Sequence, residues 1–393
     1  MRSCLRAGLF SAFIAAAFLG EQVWESRAQT PPSLSPGETA KASPRKESTL
    51  RKEAGTSENR YTAGFVTGAP YSTEFAIAQE IATAVSSSQE SGPHGEVALR
   101  VMPMVGNGGI SNVTDVLTLA NADMAVAPVL LADRLRDEKT FGDVRDKLVY
   151  ITPLYVEEFH LLARSEIKNV TDLAGKKVNL GEQGSAGAVL GREVLKSLDV
   201  NIDESNLGLE AALDGMRKRQ IFATLLVSGK PVNFLARYPQ AEGFHLLPIP
   251  FSRPLQYDYL PSSLHHDDYP NIVAPGESVD TIGIKSALFA YNWAARSERF
   301  RLLEFFVQTL FSRVPEFLGE SHHPKWREVN LAATLPGWKR FRPAEQWLQQ
   351  SSGQRALRES FSRFLEHNSS GDLANRDQLF QEFLRWRDRQ RGR

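Results

Sequence analysis

Cysteine is all but missing from this chain: the single residue, Cys4, lies within the first few positions. A body without cysteine excludes structural disulfides, thiolate catalysis and Cys-ligated zinc together. Net charge is missing too, because 46 Lys plus Arg balance 46 Asp plus Glu. No global field is available to hold nucleic acid or an anionic membrane, so charge recognition has to be local. There is no Walker loop, and Gly106-Asn107-Gly108-Gly109 does not fit the Gly-x-Gly-x-x-Gly dinucleotide fingerprint. No repeat of fixed period is present.

Long apolar runs are also scarce. The one near the start, Ala7 to Leu19, follows Arg2 and Arg6 and is shorter than the ~20 residues needed to span a bilayer. With small residues before a cut after Ala28, residues 1–28 read as a secretory signal peptide, and the expected location is periplasmic. An uncleaved membrane anchor is the alternative reading. Residues 29–60 are rich in Pro, Ser, Thr, Lys and Glu and nearly free of large apolar side chains, the composition of a disordered leader.

What the chain does have, from Tyr61 onward, is a repeated alternation of strand and helix. Tyr61 to Gly68 reads as a strand ending in glycine, and Ala76, Ile77, Ile81, Ala82 and Val85 recur at helical spacing. Val97 to Met104 and Met124 to Val129 read as further strands, with a helix through Val113, Val116, Leu117 and Ala120 between them. Leu148 to Ile151 reads as a crossing segment. A second set of units follows: strands at His160–Arg164, Lys177–Gly181 and Ile221–Val227, with helices opening at Gly184 and through Asp214 to Arg219. Thr281 to Ala287 reads as a strand returning to the first set. Alternating strands and helices imply parallel sheets covered by helices, here an α/β chain of two lobes with an interlobe cleft. The expected division is lobe one over 61–154 and 250–350, lobe two over 155–249, and a helical C-terminal extension over 351–393.

The motif order resembles the TAXI family of solute-binding subunits of TRAP transporters over roughly Tyr61 to Trp347. The carriers are Thr171-Asp172-Leu173-Ala174-Gly175-Lys176-Lys177-Val178 with Gly184-Ser185, and Leu225-Leu226-Val227-Ser228-Gly229-Lys230-Pro231. Gly108-Gly109-Ile110-Ser111-Asn112 and Pro275 to Gly283 support them. The resemblance implies a type 2 periplasmic-binding-protein fold and a receptor that closes on a small carboxylate-containing solute for a membrane permease. The chain departs from the family pattern at Ala186-Gly187 and Gly109, where two hydroxyls are lost, and at Tyr71-Ser72-Thr73-Glu74-Phe75, which replaces a glycine run with paired tyrosines.

Three loops join a strand's C-terminal end to a helix N-terminus: Thr67 to Thr73, Gly106 to Asn112 and Gly184 to Gly187. Free N–H groups and the helix dipole favour anions there, and ligands of open α/β sheets lie at strand C-termini. For a single loop, simple helix capping is the commoner explanation. The expected ligand-binding set is Ser72, Thr73, Asn107, Gly108, Asn112, Tyr155, Ser185 and Ser228, around a small anionic solute. No metal or cofactor and no nucleic-acid partner is expected. His265-His266-Asp267-Asp268 and His322-His323 lack chelating spacing. Two other readings stay open: a ligand-sensing or partner-binding scaffold, and a cleft enzyme using Glu157, Glu158 and His160, or Ser228 with Lys230.

Overall fold

The computed structural model describes residues 61–86, 99–137, 141–239 and 243–352. The expected signal peptide, leader and all but the first two residues of the extension lie outside the described residues. Among the described residues no helix is long and apolar enough to cross a membrane.

The first lobe opens with β1 (Thr62–Thr67), α1 (Thr73–Ser86), β2 (Arg100–Val105), α2 (Gly109–Thr118), β3 (Met124–Pro128) and α3 (Val129–Asp137). β1 pairs in parallel with both β2 and β3, as the strand and helix alternation predicts. A single turn, α4 (Val144–Lys147), is capped by the Asp143 carboxylate and leads into β4 (Leu148–Arg164). The second lobe holds β5 (Lys177–Asn179), α5 (Arg192–Ser197), β6 (Asp203–Ser205), α6 (Leu209–Arg217), β7 (Ala223–Ser228), α7 (Asn233–Ala236), β8 (Phe244–Leu246) and β9 (Leu260–His265). β10 (Ser278–Tyr291) then runs back, and α8 (Glu298–Arg313) follows.

These strands form one path in the order β2-β1-β3-β10-β4-β7-β5-β6. Its centre is the antiparallel pair β4 and β10. The second half of β10 pairs with β3 of the first lobe, and its first half pairs with β9. β4 pairs with β7 of the second lobe over Glu158 to Ala163. Two strands therefore carry the chain between lobes.

β4 is a single 17-residue strand, where the sequence reading has a crossing segment and a separate strand. Pro153, which cannot donate to a ladder, sits in its middle. The structure accommodates it by slipping register: Ala287 faces Pro153 while Lys285 faces Val156, and a second slip separates Leu288 from Phe289. Bulges are where interior strands tolerate proline.

The core falls into clusters, one of which joins Leu131 of α3 to residues of the second lobe. Phe65, Ile77, Ile81, Leu303, Phe306 and Trp326 lie together in the first lobe, with α8 packed against α1. Ser297 caps α8 by accepting from the Phe300 N–H at 3.1 Å, and its apolar face supplies Leu302, Leu303, Phe306 and Leu310. In the second lobe, Leu161, Val178, Leu190 and Leu225 pack with Leu247, Ile249 and Ile282, and Leu213 and Leu226 with Leu264 and Tyr269. Residues 247–284 thus contribute Leu247, Ile249 and Ile282 to the first of these clusters and Leu264 and Tyr269 to the second. β9 pairs with the first half of β10 on the edge opposite β4, in line with β3.

One polar group is built into the first-lobe core. Asp123, with no exposed surface, accepts from Gly64 N at 2.9 Å and from Arg299 Nε at 3.0 Å, and a second guanidinium nitrogen completes a fork. Arg299 Nη1 also donates to the Thr62 carbonyl at 3.0 Å. This group ties α8 to the start of β1 and the turn before β3.

Candidate functional site

The strand ends of both lobes meet at one small pocket. First-lobe walls come from the loop after β1 (Gly68, Ala69, Tyr71, Ser72, Glu74) and the loop after β2 (Asn107, Gly108, Gly109). Second-lobe walls come from Leu180 to Glu182, from Ser185 to Gly187 and from the end of β7, Leu225 to Ser228. Of the expected residues, Ser72, Asn107, Gly108, Ser185 and Ser228 line it, and Thr73, Asn112 and Tyr155 do not.

The lobes touch directly around this pocket. Thr73 N donates to Ser228 Oγ at 3.0 Å, and Thr73 Oγ1 donates to the Gly229 carbonyl. Ser111 N donates to the Gly184 carbonyl at 3.2 Å, Asn107 Nδ2 to the Gln183 carbonyl at 3.3 Å, and Arg134 pairs with Glu193. The space between these walls is about 60 Å³, room for a few waters.

Two glycines make the approach close. Gly109, at φ +60°, lies against the backbone of Ser185 and Ala186, and Gly184, at φ +78°, lies against the Ser111 hydroxyl. A Cβ at either position overlaps the opposite lobe, and the left-handed backbone itself favours glycine.

The hydroxyls expected to meet an anion are engaged in holding the fold. Ser72 Oγ accepts from Phe75 N at 3.2 Å, and Ser185 Oγ accepts from Ala188 N at 3.1 Å. Asn112 is fully buried, accepting from Gly108 N and donating to the Val126 carbonyl, both at 3.0 Å. These are the caps and braces that the commoner explanation of such loops anticipates. Ser228 does the same work across lobes, taking an N–H at the start of α1. Ser228→Ala is expected to cost about 1–2 kcal/mol by leaving that buried N–H without its acceptor, measured by urea denaturation.

The lining carries carboxyls and no side-chain cation, where a small anionic solute was expected. Its ionisable carboxyls are Glu74 and Glu182, and neither Lys nor Arg is among the lining residues. Glu74, in the first turn of α1, places its own carboxyl where an anion was expected, with Oε2 beside Gly68 and Gly108. Burial pushes the Glu74 carboxyl up to about 8. Burial, with Glu182 and Glu74 nearby, pushes the Tyr71 hydroxyl up to about 12. The sequence reading missed Glu74, Glu182 and Tyr71 as site residues. The available signal was an acidic residue beside Thr73 at the very helix start assigned to an anion.

The raised Glu74 value has a consequence for stability. A carboxyl whose folded pKa exceeds its unfolded value stabilises fully at low pH, and the benefit is lost as pH rises from about 4.5 to about 8. Glu74→Gln is therefore expected to stabilise the protein at pH 8 by on the order of 3–5 kcal/mol relative to its effect at pH 4. Denaturation midpoints of both proteins across that range measure it.

Of the groups in the alternative catalytic reading, Ser228 lines the pocket, and Glu157, Glu158, His160 and Lys230 do not. Glu158, 2% exposed, accepts from Lys325 Nζ at 2.7 Å and from Lys230 N at 2.8 Å. His160 Nε2 lies 2.6 Å from the Tyr269 hydroxyl, and burial lowers its imidazole to about 3. Burial, then the charge of Glu74, raises Glu157 well above the ordinary carboxylate range. Lys230 Nζ reaches Ser263 O and Asp268 at 2.7 and 2.9 Å, so it does not serve Ser228. No group of three or more His, Cys, Asp or Glu able to hold a metal ion occurs among the described residues.

Among solved structures, the periplasmic binding protein BugD is similar at 13% identity and a TM-score of 0.44, covering 75% of this chain and 94% of that one. An ancestral arginine-binding protein bound to arginine is similar at 14% identity and a TM-score of 0.42, covering 68% and 97%. The alkanesulfonate-binding protein SsuA from Xanthomonas axonopodis pv. citri, bound to MOPS, is similar at 11% identity and a TM-score of 0.40, covering 65% and 75%. A family model, that of the NMT1-like family, matches residues 65–331, well over half of the chain, and the protein belongs to that family.

Proposed function

We propose that this protein is an exported, non-catalytic receptor that captures a small solute between its lobes and presents it to a membrane permease of the TRAP type. The observation that carries the reading is the meeting of strand-end loops from two lobes around one pocket, with β4 and β10 as the connection between them. Binding sites of open α/β sheets lie at such strand ends, and hinge closure about them couples capture to a change of shape. The TAXI resemblance supports the TRAP assignment, and the basic and apolar start of the chain supports export to the periplasm. The Glu74 and Glu182 carboxyls weigh against the anionic solute first expected.

Native mass spectrometry of the protein purified from its own host tests the receptor reading. The expected result is a bound small molecule that is recovered chemically unchanged; conversion of the molecule on incubation points instead to the cleft enzyme. A scaffold that signals by its closed shape is the second reading, favoured by the direct interlobe hydrogen bonds around only 60 Å³ of space. It requires that no solute alter the protein's small-angle scattering.

A further inference from the structure

The inner pocket alone is too small for an ordinary solute, since ligand sites occupy about 300–1,000 Å³. It does not end at its own walls. A groove of about 1,100 Å³ runs between the lobes and shares Ala69, Tyr71, Asn107 and Glu182 with the pocket. Its first-lobe side includes Pro70 and Val105, the latter 59% exposed, and its second-lobe side includes Phe234 and Tyr238. An apolar side chain as exposed as Val105, facing aromatic residues across a cleft, is surface that a ligand can cover.

The two parts differ in chemistry. The inner pocket offers the Glu74 carboxyl and the Ser72, Ser185 and Ser228 hydroxyls, with no side-chain cation. Each of these hydroxyl oxygens accepts one backbone N–H and keeps a second lone pair for a donor. The Tyr71 ring stands at the boundary, where an aromatic face attracts a cation. The groove's own cations, Arg217 and Arg237, belong to the second lobe and do not line the inner pocket; Arg217 pairs with Asp214 at 2.7 Å.

We propose that pocket and groove form one site for a small amphiphilic organic cation, with its protonated nitrogen at Glu74 and its apolar body along the groove against Tyr71 and Phe234. The assignment rests on the receptor reading and names its ligand class. Because the groove is part of the same cleft, an occupant holding both compartments holds both lobes. Burial keeps the Glu74 carboxyl largely protonated at neutral pH while the site is empty, and an ammonium group seated beside it favours the ionised form.

The test titrates the purified full-length protein with three probes of similar shape: 2-phenylethylamine, 3-phenylpropionate and 3-phenylpropanol. The amine is expected to bind at least about tenfold more tightly than the other two, the scale of a hydrogen bond to a charged group. Glu74→Gln is expected to remove that preference while the variant melts no lower than the parent. Phe234→Ala is expected to weaken the amine severalfold with the amine-over-alcohol preference kept. Equal or tighter binding of 3-phenylpropionate, failure of all three probes to bind, or an unchanged preference in Glu74→Gln overturns the assignment. Native mass spectrometry separates this failure from failure of the receptor reading, because a co-purified anion or neutral solute keeps the receptor and discards only the cation.

Discussion

Asp123→Ala is expected to destabilise the protein by about 3–5 kcal/mol, the cost of breaking a buried ion pair from one side. Asp123 is fully buried and the Arg299 side chain 6% exposed. Removing the carboxylate leaves a guanidinium in the first-lobe interior without the charge it was placed to meet, and takes the acceptor from Gly64 N at the same time. Asp123→Asn keeps the shape but not the charge, and is expected to recover only a minor part of the loss. The double variant Asp123→Ala with Arg299→Leu is expected to recover most of it, because the penalty lies in the orphaned charge more than in the lost attraction. Urea denaturation of the four proteins measures each step. Equal loss in the single and double variants argues that the group acts through packing alone.

Gly109→Val is expected to hold the cleft open. The new side chain is directed at the backbone of Ser185 and Ala186, which sits at a loop and cannot swing aside as a flexible side chain does. A β-branched residue at φ +60° also carries backbone strain of roughly 1–2 kcal/mol. The two effects are separable with Gly276→Val, since Gly276 has φ +79° and nothing within 4 Å of a built Cβ. Both variants are expected to lose comparable stability from strain, and only Gly109→Val to raise the radius of gyration in small-angle scattering. Gly184→Val, entering the same contact from the opposite lobe, is expected to behave like Gly109→Val. An unchanged radius in both shows that the Gly109 and Gly184 contact does not govern closure.

The alternation of strands and helices was legible because each unit carries its period in the chain: α1 and α2 bury one face, and β3 buries every residue between two layers. The crossing was legible only in part. Pro153 is an accurate local signal against a central strand, and it is overridden here by two register slips that no periodicity reports. The partner of Asp123 was not legible either, since 176 positions separate it from Arg299. In the site, loop positions came through well and chemical roles poorly. Ser72, Ser185 and Ser228 do lie at the pocket, but their oxygens cap and latch. A preference for anions at helix starts drew attention to the hydroxyls and away from Glu74, the charged neighbour one residue beyond Thr73.

The antiparallel ribbon of β4 and β10 bears on how the molecule can move. A pair of strands bonded along most of their length resists being twisted apart, so the lobes are not two bodies on a loose string. The ribbon is expected to act as a leaf spring, flexing where its ladder is already irregular, at Pro153 opposite Ala287 and at Tyr150 opposite Phe289, and staying stiff elsewhere. Elastic resistance at those two points, added to the latches at the cleft mouth, fixes how much binding energy an occupant has to supply or release for the lobes to change position.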